Sequence, residues 1–250
     1  MATTAGFYGK FPELGDFVQQ DLPQSFIDAW DNWLQEAIST SRDQLDHAWL
    51  DYYLTSPIWR FALSAGVCGD SPWSGVVMPS VDRVGRYFPL TIAAPLPLDA
   101  NLCAVAMDGA SWFVTAEEII LSALSETEFD RAEFEARVAQ LSTLMPMETH
   151  LSAPSQQGYG TAWRLPLDEH GTPDAALSLL AHQAISQRLS AYTVWWGQGS
   201  EHVHPSMLVC DGLPIAADFA AMLTGSWDAG SWENWSLAAL VDQPDISPAE

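Results

Sequence analysis

The chain has 250 residues, 48% of them hydrophobic, with 12 Trp and 10 Phe, enough apolar mass for a sizeable core and too much for a disordered chain. Its formal net charge is −23 and its single lysine is Lys10, so it lacks the clustered cations that grip nucleic acid, and anionic membrane surfaces repel it. Residues 1–100 carry net −7 and residues 101–250 net −16, an acidic rear half that reads either as a solvated surface or as a face steering toward a basic partner.

In chain order, residues 6–18, "GFYGKFPELGDFV", read as a loop-rich opening punctuated by Gly9, Pro12 and Gly15. A helix follows. Phe26, Trp30, Trp33, Leu34, Ala37 and Ile38 recur near a 3.6 period, with Asp28, Asp31, Gln35 and Glu36 on the other side and Pro23 suited to the first turn. A second short helix, "LDHAWLDYYLTS", ends before Pro57. Then "IWRFALSAGVCG", "WSGVVMPSV" and "YFPLTIAAPL" are short apolar runs broken by Gly, Pro and Asp, which predicts three strands. The connections are too short for parallel crossovers, so the strands are expected to pair antiparallel.

Residues 112–142 predict two more helices, the second with an Arg131–Glu135 pair four apart. Residues 152–160, "SAPSQQGYG", read as a connector and a possible subdomain break, and "TAWRLPL" as a further strand. A helix over "PDAALSLLAHQAISQRL", strands in "SAYTVWWGQG" and "SMLVCDGLP", and a helix stopped by Gly225 complete the order. This alternation predicts the α/β class, an α-β-α sandwich with a mainly antiparallel sheet flanked by helices, within one domain. Residues 226–250 form an acidic tail with Trp227, Trp232 and Trp235, rings expected either to pack back on the domain or to dock a partner.

Cys68, Cys103 and Cys210 are odd in number and widely spaced, so they form neither a disulfide framework nor a CxxC site. The start, "MATTAGFYGKF", lacks the basic flank and apolar run of a signal peptide, and no uncharged apolar stretch reaches the roughly 18 residues of a membrane span. A soluble, cytoplasmic protein is expected.

Catalytic motifs are wanting. "GDSPWSG" has Trp73 where a nucleophile elbow needs its second glycine, and "WWGQGSEHVHP" departs from a dinucleotide-binding fingerprint at His202 and Pro205. His202 and His204, spaced to share one face of a strand, are the only metal-like pair, and surface histidines are the plainer reading. No metal or other cofactor is expected.

Two segments remain. "YGKFPELGDF" places Lys10 and Asp16 in one tightly punctuated loop, and "SVDRVGRYFP" places Asp82, Arg83 and Arg86 around Gly85 in another. Either the arginines pair with Asp82 or Asp16 to hold two loops on the sheet, or they form a small positive docking spot for a carboxylate or phosphate.

Together "GFYGKFPELGDFV", "WDNWLQEAIS", "PIWRFALSAGVCG", "MPSVDRVGRYFPLTIA", "WWGQGS" and "GLPIAADFAAMLTG" resemble the type VI secretion system-associated TagF (ImpM) family. The first four cover residues 6–94, and looser rear matches carry the resemblance to about residue 225, giving a single domain over 1–225. The resemblance implies a bacterial cytoplasmic regulator without catalysis of its own. Such proteins restrain assembly or firing of the secretion apparatus post-translationally, in connection with a forkhead-associated-domain scaffold protein and alongside a Ser/Thr kinase and phosphatase. Lys10, Asp16, Asp82, Arg83, Gly85 and Arg86 match family motif positions, as fold determinants or as the partner surface. Two other expectations stand beside it: a metal-assisted hydrolase using His202 and His204, and a structural subunit of the apparatus.

Overall fold

Strand pairing organises the chain. A computed structural model describes residues 4–124, 129–141, 144, 165, 167 and 173–235. The strands are β1 (Gly6–Lys10), β2 (Phe17–Gln20), β3 (Trp59–Leu63), β4 (Trp73–Met78), β5 (Leu90–Pro95), β6 (Tyr192–Gly197) and β7 (Ser206–Asp211). They form one sheet in the order β2-β1-β5-β4-β3-β6-β7, and every pair is antiparallel. The helices are α1 (Gln24–Leu45), α2 (Trp49–Leu54), α3 (Leu102–Asp108), α4 (Ala110–Ser122), α5 (Arg131–Gln140), α6 (Asp174–Arg188) and α7 (Phe219–Thr224).

Alternation along the strands sends side chains into two cores, one on each face of the sheet. Phe61 and Leu63 of β3 face a layer built from α1, α2 and α7, where Phe26, Trp30, Trp33, Tyr53, Phe219 and Met222 meet Trp59, Trp73 and Trp195. Ala62 points the other way, into a core where Val105, Phe113, Ile120 and Phe134 of α3, α4 and α5 meet Phe7, Val76, Ile92 and Val194. Strands β3, β4 and β5 are covered on both faces, which is why they read as apolar runs rather than as alternating ones. Edge strand β7 shows the opposite habit, burying Leu208 while Met207 and Val209 are exposed. Polar tips inside the aromatic core find partners: Trp30 Nε1 donates to Thr91 Oγ1 at 2.9 Å and Trp33 Nε1 to the Pro214 carbonyl at 2.7 Å.

The expected helix-flanked, mainly antiparallel sheet is therefore present, with two differences from the predicted elements. The opening segment is a β-hairpin rather than a loop. All five residues of β1 are buried because the strand sits inside the sheet, between β2 and β5. Gly9 permits this: its φ is +140°, and a Cβ there would fall on the Pro89 carbonyl of the loop before β5. The second difference is an additional helix, α3. Asn101 starts it, its Oδ1 accepting from the Cys103 and Ala104 backbone N–H groups at 3.0 and 3.2 Å.

Further along, Arg131 and Glu135 do pair, at 2.6 Å, and Gly225 ends α7 with a φ of +73°. The connector at 152–160 and most of the strand expected in "TAWRLPL" lie outside the described residues. Beyond α7, Trp227 stands edge-on to Trp59 and to Trp232, whose Nε1 donates to the Asp218 carbonyl at 3.2 Å. Trp235, by contrast, is 90% exposed.

Candidate docking site on the loop between β4 and β5

Antiparallel pairing of β1 with β5 sets Lys10, the last residue of β1, beside the loop that leads into β5. That loop is fastened at its base. Ser80 Oγ donates to the Lys10 carbonyl at 2.7 Å, Tyr53 of α2 donates its hydroxyl to the Ser80 carbonyl at 2.9 Å, and Val81 bridges to Tyr87.

Asp82 is the centre of the loop. Its Oδ1 accepts from the backbone N–H groups of Val84 and Arg86 at 3.0 and 2.9 Å, the local pattern by which an Asp folds its own turn. Its Oδ2 accepts from Lys10 Nζ at 2.8 Å and from Arg86 Nε at 2.7 Å. The Asp82 side chain is 0% exposed and that of Lys10 4%. Burial alone would raise the Asp82 carboxyl, but the Lys10 ammonium and the hydrogen bonds from Arg86 and Val84 outweigh it and hold the group well below the usual carboxylate range. Gly85, at φ +81°, supplies the left-handed step that closes the turn, and its N–H donates to the Asp82 carbonyl at 2.9 Å.

The two arginines therefore part company. Arg86 braces the platform: besides Asp82, its Nη2 donates to the Gly15 carbonyl of the β1–β2 turn. Arg83 uses only its backbone, donating N–H to the Leu14 carbonyl at 3.2 Å, while its side chain is exposed and has no ion-pair partner among the described residues. Asp16 is also exposed and joins no ion pair there, so neither arginine pairs with it. Beside them Val84 and Phe17 are exposed, and Phe17 is held by stacking on Tyr8 and an edge contact with Phe88. The arrangement is a buried Lys10–Asp82 ion pair braced by the partly exposed Arg86, with the Arg83 guanidinium exposed and without an ion-pair partner among the described residues.

His202 and His204 do not share a strand face. They lie in the loop before β7, on either side of the buried Val203, and His202 packs edge-on against Tyr52 at 4.9 Å. Among the described residues no three His, Cys, Asp or Glu side chains converge as metal ligands.

One charged pair escaped the sequence reading. Arg60 of β3 and Glu117 of α4 form a two-pronged bridge, Nε to Oε1 at 2.7 Å and Nη2 to Oε2 at 2.8 Å, inside the α4 layer. The signal was available: an arginine within "IWRFAL", in a strand apolar enough to be covered on both sides, requires a partner.

Comparison with known proteins bears on this site. Residues 6–141 match the TagF N-terminal domain, described as type VI secretion system-associated, a span from β1 to the end of α5 that contains Lys10, Asp16, Asp82, Arg83 and Arg86. Among solved structures, PA0076 from Pseudomonas aeruginosa PAO1 is 39% identical, with a TM-score of 0.77 over 93% of this chain and 100% of that one. No curated protein matches the sequence. Among the described residues no helix is long and apolar enough to cross a membrane. On the extent of the domain match, the chain belongs to the TagF family of type VI secretion system-associated proteins.

Proposed function

We propose that this chain is a non-catalytic, cytoplasmic repressor of type VI secretion. It acts after translation, by binding a component of the system such as a forkhead-associated-domain scaffold protein and so restraining assembly or firing. The observation that carries the reading is the contrast between the two arginines. A buried Lys10–Asp82 pair, braced by the partly exposed Arg86, stabilises a loop whose remaining cation, Arg83, is exposed and has no ion-pair partner among the described residues. In a chain of net charge −23, one exposed guanidinium on a rigid support is suited to a carboxylate or phosphate on a partner. Lys10, Asp82 and Arg86 shape this surface from beneath, and Asp16 borders it. We take residues 1–225 as one domain, because β6 joins the same sheet as β3.

The experiment is a pull-down of the tagged chain against the scaffold protein from the same bacterium, together with a secretion assay. Wild-type chain retains the scaffold and its overproduction suppresses secretion. Arg83→Glu loses both effects while its melting temperature stays unchanged. Wild-type chain that binds no secretion component, with secretion indifferent to deletion of its gene, overturns the reading.

A further inference from the structure

The two edges of the sheet are guarded differently. Strand β2 is four residues long and bounded by Asp16 and Asp21. Strand β7 is six residues long, and from Pro205 to Cys210 the chain carries no charge. An open edge is a template for another strand, and proteins usually blunt it with charge, with proline inside the strand or with a bulge.

Backbone hydrogen bonds show which groups β7 leaves over. Ser64 donates its N–H to the Tyr192 carbonyl at 2.9 Å, so Tyr192 turns its backbone toward β3. Gly212 donates its N–H to the Ala191 carbonyl at 2.9 Å, so the bonded pairs between β6 and β7 continue at Thr193–Cys210 and Trp195–Leu208. Met207, Val209 and Asp211 therefore point their N–H and C=O groups outward, and among the described residues no strand pairs with them. The same alternation sets their side chains on one face. Met207 and Val209 are 59% and 43% exposed there, beside the partly buried Trp196 of β6. Unpaired backbone and exposed apolar side chains thus coincide on the same residues.

The strand is complementary to itself. Set antiparallel about a two-fold axis at Leu208, two copies of β7 bring Met207 of each against Val209 of the other. These are outward-facing residues, so each such pair exchanges both of its backbone hydrogen bonds. Leu208 meets Leu208, and Asp211 meets Pro205, so no like charges are opposed. Centring the pair on Val209 instead would set Met207 against Asp211. A partner of either charge gains nothing specific from an edge that has none, whereas the chain's own strand fits it residue by residue. The net charge of −23 opposes any contact between copies, but it is screened beyond about 8–10 Å at physiological salt and none of it lies within 205–210.

We infer that two copies of the chain join through β7, antiparallel and centred on Leu208, continuing one sheet across both. One strand pair is small for a dimer interface, so the association is reversible, with a Kd of roughly 10–100 µM. The inference is independent of any docking role for Arg83.

Sedimentation equilibrium of the purified full chain tests it. The expected result is a dimer that tightens as salt rises from about 0.05 to about 0.5 M, because screening relieves the repulsion between copies. Val209→Pro removes a donor that β6 does not use, and Val209→Lys places a charge on the open edge. Each weakens dimerisation at least about tenfold, and the lysine variant, at an exposed position, keeps the test decisive if the proline variant does not fold. For the register, a Met207→Cys chain is mixed with a Val209→Cys chain, both also carrying Cys210→Ser, under mild oxidation. The mixed disulfide should outweigh the disulfide of either chain with itself. In the bacterium, p-benzoylphenylalanine at position 207 should capture a second copy. A chain that stays monomeric to about 200 µM at high salt overturns the inference, as does a dimer that survives both Val209 variants or weakens with salt. Self-crosslinking of the Val209→Cys chain in preference to the mixed product overturns it too, and so does capture of another protein at position 207 in place of a second copy.

Discussion

Replacing Asp82 with alanine separates the platform from the surface it carries. In the parent, the Lys10 ammonium is 4% exposed and donates to a carboxylate that is itself 0% exposed. Asp82→Ala leaves that ammonium buried without its charge partner, a change that costs about 3–5 kcal/mol in comparable sites. It also strips the Val84 and Arg86 backbone N–H groups of their acceptor, so the turn loosens. At roughly 2–4 °C per kcal/mol for a chain of this size, the melting temperature should fall by about 6–20 °C. Arg83→Ala removes an exposed side chain with no ion pair among the described residues and should change it by less than about 2 °C. Arg86→Ala lies between, because that side chain is 56% exposed and its pairing is partly screened. Calorimetry gives the three values, and limited trypsin digestion reports the loop, with cleavage after Arg83 and Arg86 accelerated in Asp82→Ala. If Asp82→Ala melts within about 2 °C of the parent and is cut no faster, the platform reasoning is wrong.

Acid should expose the same network. The folded Asp82 carboxyl is held below the unfolded value of 3.8, so its stabilisation is whole above that pH, shrinks as pH falls below it, and disappears once the folded carboxyl is protonated too. Urea titrations should thus show the gap between parent and Asp82→Ala narrowing from about pH 6 to about pH 2.5, and a constant gap would contradict the assignment. At the other ion pair, Glu117→Ala abandons an arginine whose side chain is 8% exposed and should cost about 3–5 kcal/mol, while Arg60→Met with Glu117→Leu should recover most of that loss. A double variant no more stable than Glu117→Ala in urea would rule this out. Burial pushes the Cys68 and Cys210 thiols up to about 12, so at about pH 8 a thiol reagent should label them slowly in the native protein and rapidly in denaturant. Fast native labelling of Cys68 would mean its pocket opens.

Much of the fold was legible because it is locally encoded. The apolar stripe from Phe26 to Ile38 sets both the helix α1 and the face it buries. The Gly and Pro breaks around β3, β4 and β5 mark three strands, and connections that short force neighbouring antiparallel pairing. Gly225 ends α7 because the backbone there takes a left-handed turn. The opening hairpin was not legible. Its glycines and proline look like loop residues, and only the ladder to β5, more than 80 positions away, makes residues 6–10 an interior strand.

The candidate site divides in the same way. Sequence alone determined which residues compose it, because rare cations stood beside an acidic residue in two tightly punctuated turns. Only tertiary structure decided their roles. Lys10 meets Asp82 across 72 positions, a pairing set by the order β1-β5-β4 in the sheet. Arg83 and Arg86 are chemically identical and three residues apart, yet the turn closed by Asp82 and Gly85 directs one into the ion-pair network and leaves the other in water. Spacing along the chain specifies local backbone conformation and face, whereas the choice of partner for a charge depends on which distant segments the sheet brings alongside it.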